Sequence, residues 1–534
     1  MSKLFDKLFP TYGRIKPTKF TYDEFEAVSH YFRNTVNKDE YFVDDITWND
    51  LDMDEVFALI NNTNSSIGRE YLYKILRTPT SDASVLSERD RLMEYMDSHP
   101  KERTLLMMQF HSIGFTKKIS MSDYIDRLFE LKSESNAVHF IMIGLLVLSI
   151  LFTIFVNPVI GIMLILVAVG TCIISYYKYK MRIDSFFSCV RQIVAMTGAA
   201  KQIAKLNIPE LSEYNEFFSE ASRNFGKITR GSWMIVNSRD ISGNLSDIIL
   251  EYFKIFTHID LIRFNIILRQ LGDNKDKVYM LMEKLGLLEA MISCASFRKV
   301  IPYYCKPDFN ADSGIDVKNM YHLLIEKPVA NSISTGKSVL ITGSNASGKS
   351  TFLKSTAIGA ILAQSINTVM ADSYKAPFYR IYTSMALNDS IESGESYYIV
   401  EIKSLKRILD ASQKEGPKVL CFIDEVLRGT NTVERIAASY EILCKFSEYA
   451  VCFAATHDIE LTNMLENVFD NYHFTEEVIG DNIEFSYVIM PGRATSRNAI
   501  KLLDMMGYDK MIVERAQKRA QAFVDTGVWE SEKA

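Results

Sequence analysis

The chain carries no surplus of positive charge. Its 60 Lys and Arg stand against 66 Asp and Glu, a formal net charge of −6, so no global basic field draws it onto nucleic acid, although a local basic patch stays open. It also lacks cysteine in any ligand-like spacing. The seven cysteines, Cys172, Cys189, Cys294, Cys305, Cys421, Cys444 and Cys452, are scattered without a C-x-x-C pair. That pattern predicts reduced, mostly buried thiols rather than a disulfide framework or a zinc site. Internal repeats and low-complexity linkers are missing as well. The opening MSKLFDKLFP has neither the long apolar core nor the small-residue cleavage site of a secretory signal. What the sequence does have is apolar residues, 48% of 534 positions, with charged residues at 24%. Those values predict two to four well-filled domains.

One region departs from a soluble pattern. Residues 138–156 (VHFIMIGLLVLSILFTIFV) and 158–177 (PVIGIMLILVAVGTCIISYY) contain no Asp, Glu, Lys or Arg, and His139 is their one imidazole. Each run is about the length that a helix needs to cross the hydrocarbon. Asn157-Pro158 between them is turn chemistry, because proline cannot continue the first helix. Lys117, Lys118, Arg127 and Lys132 flank one end, and Lys178, Lys180 and Arg182 the other, while the turn has no cation. This asymmetry predicts a transmembrane helical hairpin over 137–179 with both ends in the cytoplasm and Tyr176 and Tyr177 at the interface. The alternative is a buried helical hairpin, but a core helix usually keeps a polar stripe and these runs have none.

The strongest chemical signal lies further on. Ser338–Thr342 is an apolar, β-branched strand that leads into Gly343-Ser344-Asn345-Ala346-Ser347-Gly348-Lys349-Ser350-Thr351, followed by a helical pattern from Phe352 to about Ser365. G-x-x-x-x-G-K-S between strand and helix is a phosphate cradle: glycines let backbone N–H groups wrap the phosphates at the positive end of the helix. Lys349 would reach the β- and γ-phosphates and Ser350 would ligate Mg2+. A second strand, from Lys418, ends in Asp424-Glu425. Asp424 suits the Mg2+ shell, and Glu425 suits the general base that polarises the attacking water. A third strand, Ala450–Thr456, ends at His457-Asp458, which places His457 within range of the γ-phosphate or that water.

These elements together resemble the MutS family of ATPases, a branch of the ABC-type P-loop class. Residues 342–351 (TGSNASGKST) look like its T-G-P-N-x-x-G-K-S-T, with Ser344 in place of proline. Ser393-Gly-Glu-Ser396-Tyr-Tyr-Ile-Val-Glu401 resembles S-G-x-S-T-F-x-x-E, with Tyr397-Tyr398 in place of Thr-Phe. Asp424-Glu425-Val-Leu-Arg428-Gly429-Thr430-Asn-Thr432 is similar to D-E-x-G-R-G-T-S-T, with Leu427 where glycine is usual, and Ala455-Thr456-His457 looks like the A-T-H element. Gly492 to Asn498 leads into two amphipathic helical patterns, the second near 509–523, resembling dimer-supporting helices. More weakly, Ser66–Leu72 through Pro79 and Arg89–Leu92 resemble the start of the family's helical core. The periodic Leu245, Ile248, Ile249, Phe253 and Phe256 resemble its returning levers, and residues 308–328 its bridge into the ATPase.

The resemblance implies a fold class of an α-helical core or lever domain interrupted by the hairpin, followed by an α/β ABC-type P-loop ATPase domain. The boundaries expected are 1–44 (helical entry), 45–136 (core, first part), 137–179 (hairpin), 180–325 (core and lever, second part) and 326–534 (ATPase with its C-terminal helices). It implies ATP and Mg2+ as cofactors and a homodimer with composite sites, in which Ser396 contacts the nucleotide of the opposite subunit. The family's mismatch-reading and connector domains do not fit in residues 1–44, so mismatch recognition is not expected. The function expected is a membrane-anchored ATPase that couples hydrolysis to its lever. DNA binding near the membrane stays open as the alternative, resting on the resemblance alone. Two helices without intramembrane charge make a poor transport path, and intact Lys349, Asp424 and Glu425 argue against a scaffold that binds ATP without turnover.

Overall fold

The computed structural model describes residues 3–16, 20–116, 119–226, 245–272, 274–344, 347–385, 397–428, 431–479, 482–494, 500, 503–504, 507–527 and 529. They form two compact units. One comprises residues 1–40, 57–78 and 83–302, and the other residues 41–56, 79–82 and 303–534. The first is mostly helical and the second is a mixed α/β sheet domain.

In the helical unit, caps fix where helices begin. Thr21 opens Tyr22–Thr35 with a capping box: its Oγ1 accepts from Glu24 N at 3.4 Å, and Glu24 Oε2 accepts from Thr21 N at 3.0 Å. Ser65 opens Ser66–Arg77 by accepting from Gly68 N at 3.2 Å. These two helices pack on each other and on Lys275–Arg298, which in turn meets the long helix Pro158–Leu206, and the unit's core includes Tyr31, Leu72, Phe110, Val190, Phe264 and Leu285.

The hairpin arms are Ala137–Phe155 and the start of Pro158–Leu206, both long and apolar enough to cross a membrane. Asn157 makes the turn: its Oδ1 accepts from Val159 N at 3.0 Å and Ile160 N at 3.2 Å, with Pro158 in the first helical position. The arms contrast with a core helix. Only 11% of the first arm's most apolar stretch and 22% of the second's are buried, and Phe155 at the tip is 77% exposed. The second arm does not stop at residue 179. It runs on as one uninterrupted 49-residue helix to Leu206, where Asn207 caps it in the left-handed conformation.

In the α/β unit, β3 (Ser338–Thr342), β5 (Arg380–Ser384), β6 (Val419–Asp424), β7 (Ala450–Ala455), β8 (Phe469–Ile479) and β9 (Asn482–Pro491) form a six-stranded sheet in the order β5-β6-β7-β3-β8-β9. Every neighbouring pair is parallel except β8 with β9. Strands β3 and β7 are buried along their whole length, and β6 along all but its last residue, as expected of parallel strands covered on both faces. A smaller antiparallel sheet, β2-β1-β4, joins Ile315–Met320 (β1) to Asn331–Thr335 (β2) and Ser373–Lys375 (β4). Of its strands only β1 lies in the stretch, residues 308–328, that the sequence reads as a bridge; β2 and β4 lie within the residues expected to form the ATPase. Residues 41–56 pack with this unit: Tyr41 Oη donates to Ile381 O at 2.9 Å, and Asp50 accepts from Thr383 Oγ1 at 2.7 Å and Met385 N at 2.9 Å.

Candidate nucleotide site

The carboxyl ends of β3, β7 and β6 lie side by side, and each ends in residues singled out by the sequence. Crevices at such ends are where open α/β sheets bind ligands. After β3 the chain turns through Gly343 at φ 143° and Gly348 at φ 105°, values that side chains rarely adopt. A Cβ on Gly343 would stand 2.8 Å from Ser347 Oγ, and one on Gly348 would meet the Tyr487 ring at 3.3 Å. The helix begins at Lys349, three residues earlier than the apolar periodicity predicts, because Gly348 supplies the left-handed cap. Asn345 and Ala346 lie outside the described residues.

Lys349 points back into the loop, its Nζ donating to Gly343 O at 2.7 Å and Ser344 O at 2.8 Å. Burial pushes its pKa down to about 8. Ser347 Oγ donates to Ser344 O at 2.8 Å, while Ser344 Oγ has no hydrogen-bond partner among the described residues. The Ser350 hydroxyl donates to the Asp424 carboxylate across the β3 and β6 ends. Two hard oxygen donors in contact fit Mg2+, which binds through few protein ligands plus substrate phosphates. That mode needs no side-chain cage, and among the described residues no group of three or more His, Cys, Asp or Glu is arranged as one. Thr351 follows in the helix, partly buried.

Glu425 leaves the strand with φ 62°. Its Oε1 lies 3.1 Å from His457 Nε2 and its Oε2 2.6 Å from Arg428 Nε. With the ring proton on Nε2, His457 donates to Glu425. The hydrogen bond from His457, then the charges of Arg428, His457 and Lys349, hold the Glu425 carboxyl below its ordinary range against the opposing effect of burial. The Lys349 ammonium is also near, 3.4 Å from His457 Nε2. Asp458 anchors the loop after β7, accepting from Arg435 Nε at 3.0 Å and Nη2 at 2.6 Å.

Two contributors were not singled out as site residues by the sequence. Glu401, buried on the helix Tyr397–Ser412, accepts from the backbone N–H of Leu427 at 2.6 Å and of Arg428 at 3.1 Å. It thereby grips the turn after β6, where Leu427 adopts φ 59°, the left-handed conformation that explains why glycine is usual there. The signal available was the Glu at the end of the Ser393–Glu401 motif. The other is a cavity of about 350 Å3 beside the loop, lined by His322, Pro328, Asn331, Thr351, Phe352 and Tyr487 among others. Burial lowers His322 to about 4, so its ring is neutral. An apolar slot with aromatic walls next to a phosphate cradle fits the flat base of a nucleotide. Ser396 lies outside the described residues.

Comparison with known proteins agrees with this geometry. Residues 339–524 match the family described as MutS domain V. The DNA mismatch repair protein MutS of Natronomonas pharaonis is 30% identical over 246 residues, 44% of this chain and 28% of that protein. Its counterpart in Lactobacillus acidophilus is 32% identical over 267 residues, 47% of this chain and 31% of that protein. That of Clostridioides difficile is 28% identical over 259 residues, covering 46% and 27%. These alignments span less than a third of each relative's length. The α/β unit is therefore similar to MutS domain V over these residues, and its fold is consistent with that of a P-loop ATPase.

Proposed function

We propose that the protein is a membrane-anchored, MutS-like ATPase that hydrolyses ATP to ADP and phosphate. The observation that carries this reading is the convergence of Lys349, Ser350, Asp424, Glu425 and His457 at the ends of three adjacent parallel strands. The base would lie in the cavity against Phe352 and Tyr487, with the phosphates in the loop at the helix N-terminus. Bound Mg2+, held by Ser350 and Asp424, would supply charge neutralisation at the phosphates. Lys349 would leave its loop carbonyls and donate to the phosphate oxygens. Glu425, kept ionised by His457 and Arg428, would accept a proton from the attacking water as its oxygen bonds the γ-phosphorus and the bond to the β-phosphate oxygen breaks. His457 would hold the Glu425 carboxylate in place and stand beside the transferred phosphoryl group.

The family likeness favours a homodimer with composite sites, Ser396 contributing across the interface. The hairpin would insert into the bilayer from the cytoplasmic side, which its exposed apolar arms support. Motion of the helical unit would follow the nucleotide cycle, so digestion within residues 180–325 should differ with and without ATP. A second reading, action on DNA, is favoured by the relatives, which are DNA mismatch repair proteins. Turnover of the detergent-solubilised protein, with and without duplex DNA and beside Glu425→Gln, tests both. We expect Glu425→Gln to lower turnover by about 100-fold or more; undiminished turnover would overturn the assignment. Stimulation by DNA would place the protein in nucleic-acid metabolism, and indifference would leave the membrane or a protein as its partner.

A further inference from the structure

The helix Leu245–Thr257 has an apolar stripe on the wrong side for a core. Ile248, Ile249, Tyr252 and Phe253, spaced to share one helical face, are exposed, Ile249 to 61%. The opposite face is fastened to the second hairpin arm. Lys180 Nζ pairs with Glu251 Oε1 at 2.9 Å, and Cys172 Sγ lies 3.4 Å from Ile255 O. The earlier residue of one helix meets the later residue of the other, so the two run antiparallel. The stripe is therefore level with residues 172–182 of the arm.

That level can be placed relative to the hairpin tip. At about 1.5 Å rise per residue from Pro158, residues 172–182 lie roughly 20–35 Å from the tip, and the hydrocarbon layer is about 30 Å thick. The stripe thus falls where hydrocarbon gives way to headgroups. The arm itself presents exposed Tyr177 and Met181 at this height, together with Lys178 and Arg182. Aromatic rings and aliphatic side chains beside cations are the composition that suits the interfacial layer of an anionic membrane.

Building on the reading that the hairpin inserts, we propose that Ile248, Ile249, Tyr252 and Phe253 form a collar buried in the interfacial layer of the bilayer. The membrane then holds the helical unit in a fixed orientation, through three helices rather than through a two-helix tether.

The test uses the full-length protein in phosphatidylcholine vesicles containing phosphatidylglycerol. An environment-sensitive fluorophore is placed at Tyr252→Cys, Phe253→Cys or Leu148→Cys, with the parent protein's labelling subtracted. Lipid-borne quenchers are held at headgroup or mid-chain depth. Positions 252 and 253 should be quenched about twofold more by the shallow probe than by the deep one, and position 148 the reverse. Deep quenching at 148 with none at 252 or 253 would overturn the collar while leaving insertion intact. Protection at 252 and 253 that depends on protein concentration and not on lipid would also overturn it, in favour of a second copy as the occupant. Absence of quenching at all three positions would overturn the insertion reading itself.

Discussion

The buried carboxylates of the helical unit and the half-buried Glu425 of the α/β unit are treated in opposite ways. In the helical unit Glu70 and Glu289 are each held by a serine hydroxyl and a backbone N–H: Ser120 Oγ at 3.0 Å and Met121 N at 2.8 Å for Glu70, Ser65 Oγ and Asn64 N for Glu289. Burial pushes them up to about 8 and about 7 despite those bonds. In the α/β unit Glu425 is half-buried between His457 and Arg428 and is pushed down instead. The larger perturbations therefore mark fastenings of the fold, each carboxylate holding a hydroxyl and a backbone N–H from another part of the chain. The smaller, downward one marks the candidate site, because cations gathered around a carboxylate keep it ionised and able to take a proton. Glu401 is a fastening of the first kind placed inside the site: burial raises its pKa while it grips the backbone that carries Glu425.

If that contrast is sound, removing the Glu401 grip should cost catalysis more than binding. Glu401→Ala leaves the buried Leu427 N–H without its acceptor and frees a turn with two left-handed residues. Turnover should fall about 10- to 100-fold with nucleotide affinity nearly unchanged, measured as kcat against Kd. Equal losses in both would reduce Glu401 to a general stabiliser.

Lys349 sharpens the electrostatic side. Its pKa is lowered to about 8, and phosphates favour the charged form. Above pH 8 binding must therefore take up a proton, and affinity should fall by up to about tenfold per pH unit, while below pH 8 this dependence vanishes. Calorimetry in buffers of different ionisation enthalpy should read uptake of about one proton near pH 9.

Glu70 tests the fastening side. Its pKa rises from an ordinary value of 4.5 to about 8 on folding, so the neutral form is favoured in the fold. The stability that it supports is complete below pH 4.5 and is lost as pH climbs toward 8. Glu70→Gln should remove that slope and stabilise the helical unit at pH 7 by on the order of 2 kcal/mol, read from denaturant melts across pH. A variant that is less stable than the parent at pH 7 but not at pH 4 would show that the fold holds the ionised carboxylate instead.

At Leu427 two terms oppose. Glycine would relieve a left-handed strain of about 1 kcal/mol, yet Leu427 is buried in the core with Leu405, Ile408 and Leu443. Losing that side chain costs more, about 2–5 kcal/mol. Leu427→Gly should therefore lower stability by about 1–4 kcal/mol, and a stabilised variant would show that strain outweighs packing here.

The P-loop, the strands β3, β6 and β7 and the hairpin arms were legible because each is written in a local pattern. Glycines stand where φ must be positive, β-branched runs end in charged residues, and the arms are apolar for the length of a bilayer crossing. Asn157-Pro158 likewise announces its own turn. Tertiary structure alone decided the rest. The order β5-β6-β7-β3-β8-β9, the meeting of His457 with Glu425 and the grip of Glu401 on Leu427 join residues far apart in the chain. Such hydrogen bonds and strand pairings leave no period in the sequence. The helix Leu245–Thr257 shows the same limit: its apolar spacing is identical whether its face meets protein or lipid, and only the packing of its other face on the hairpin arm left Ile249 and Phe253 outside.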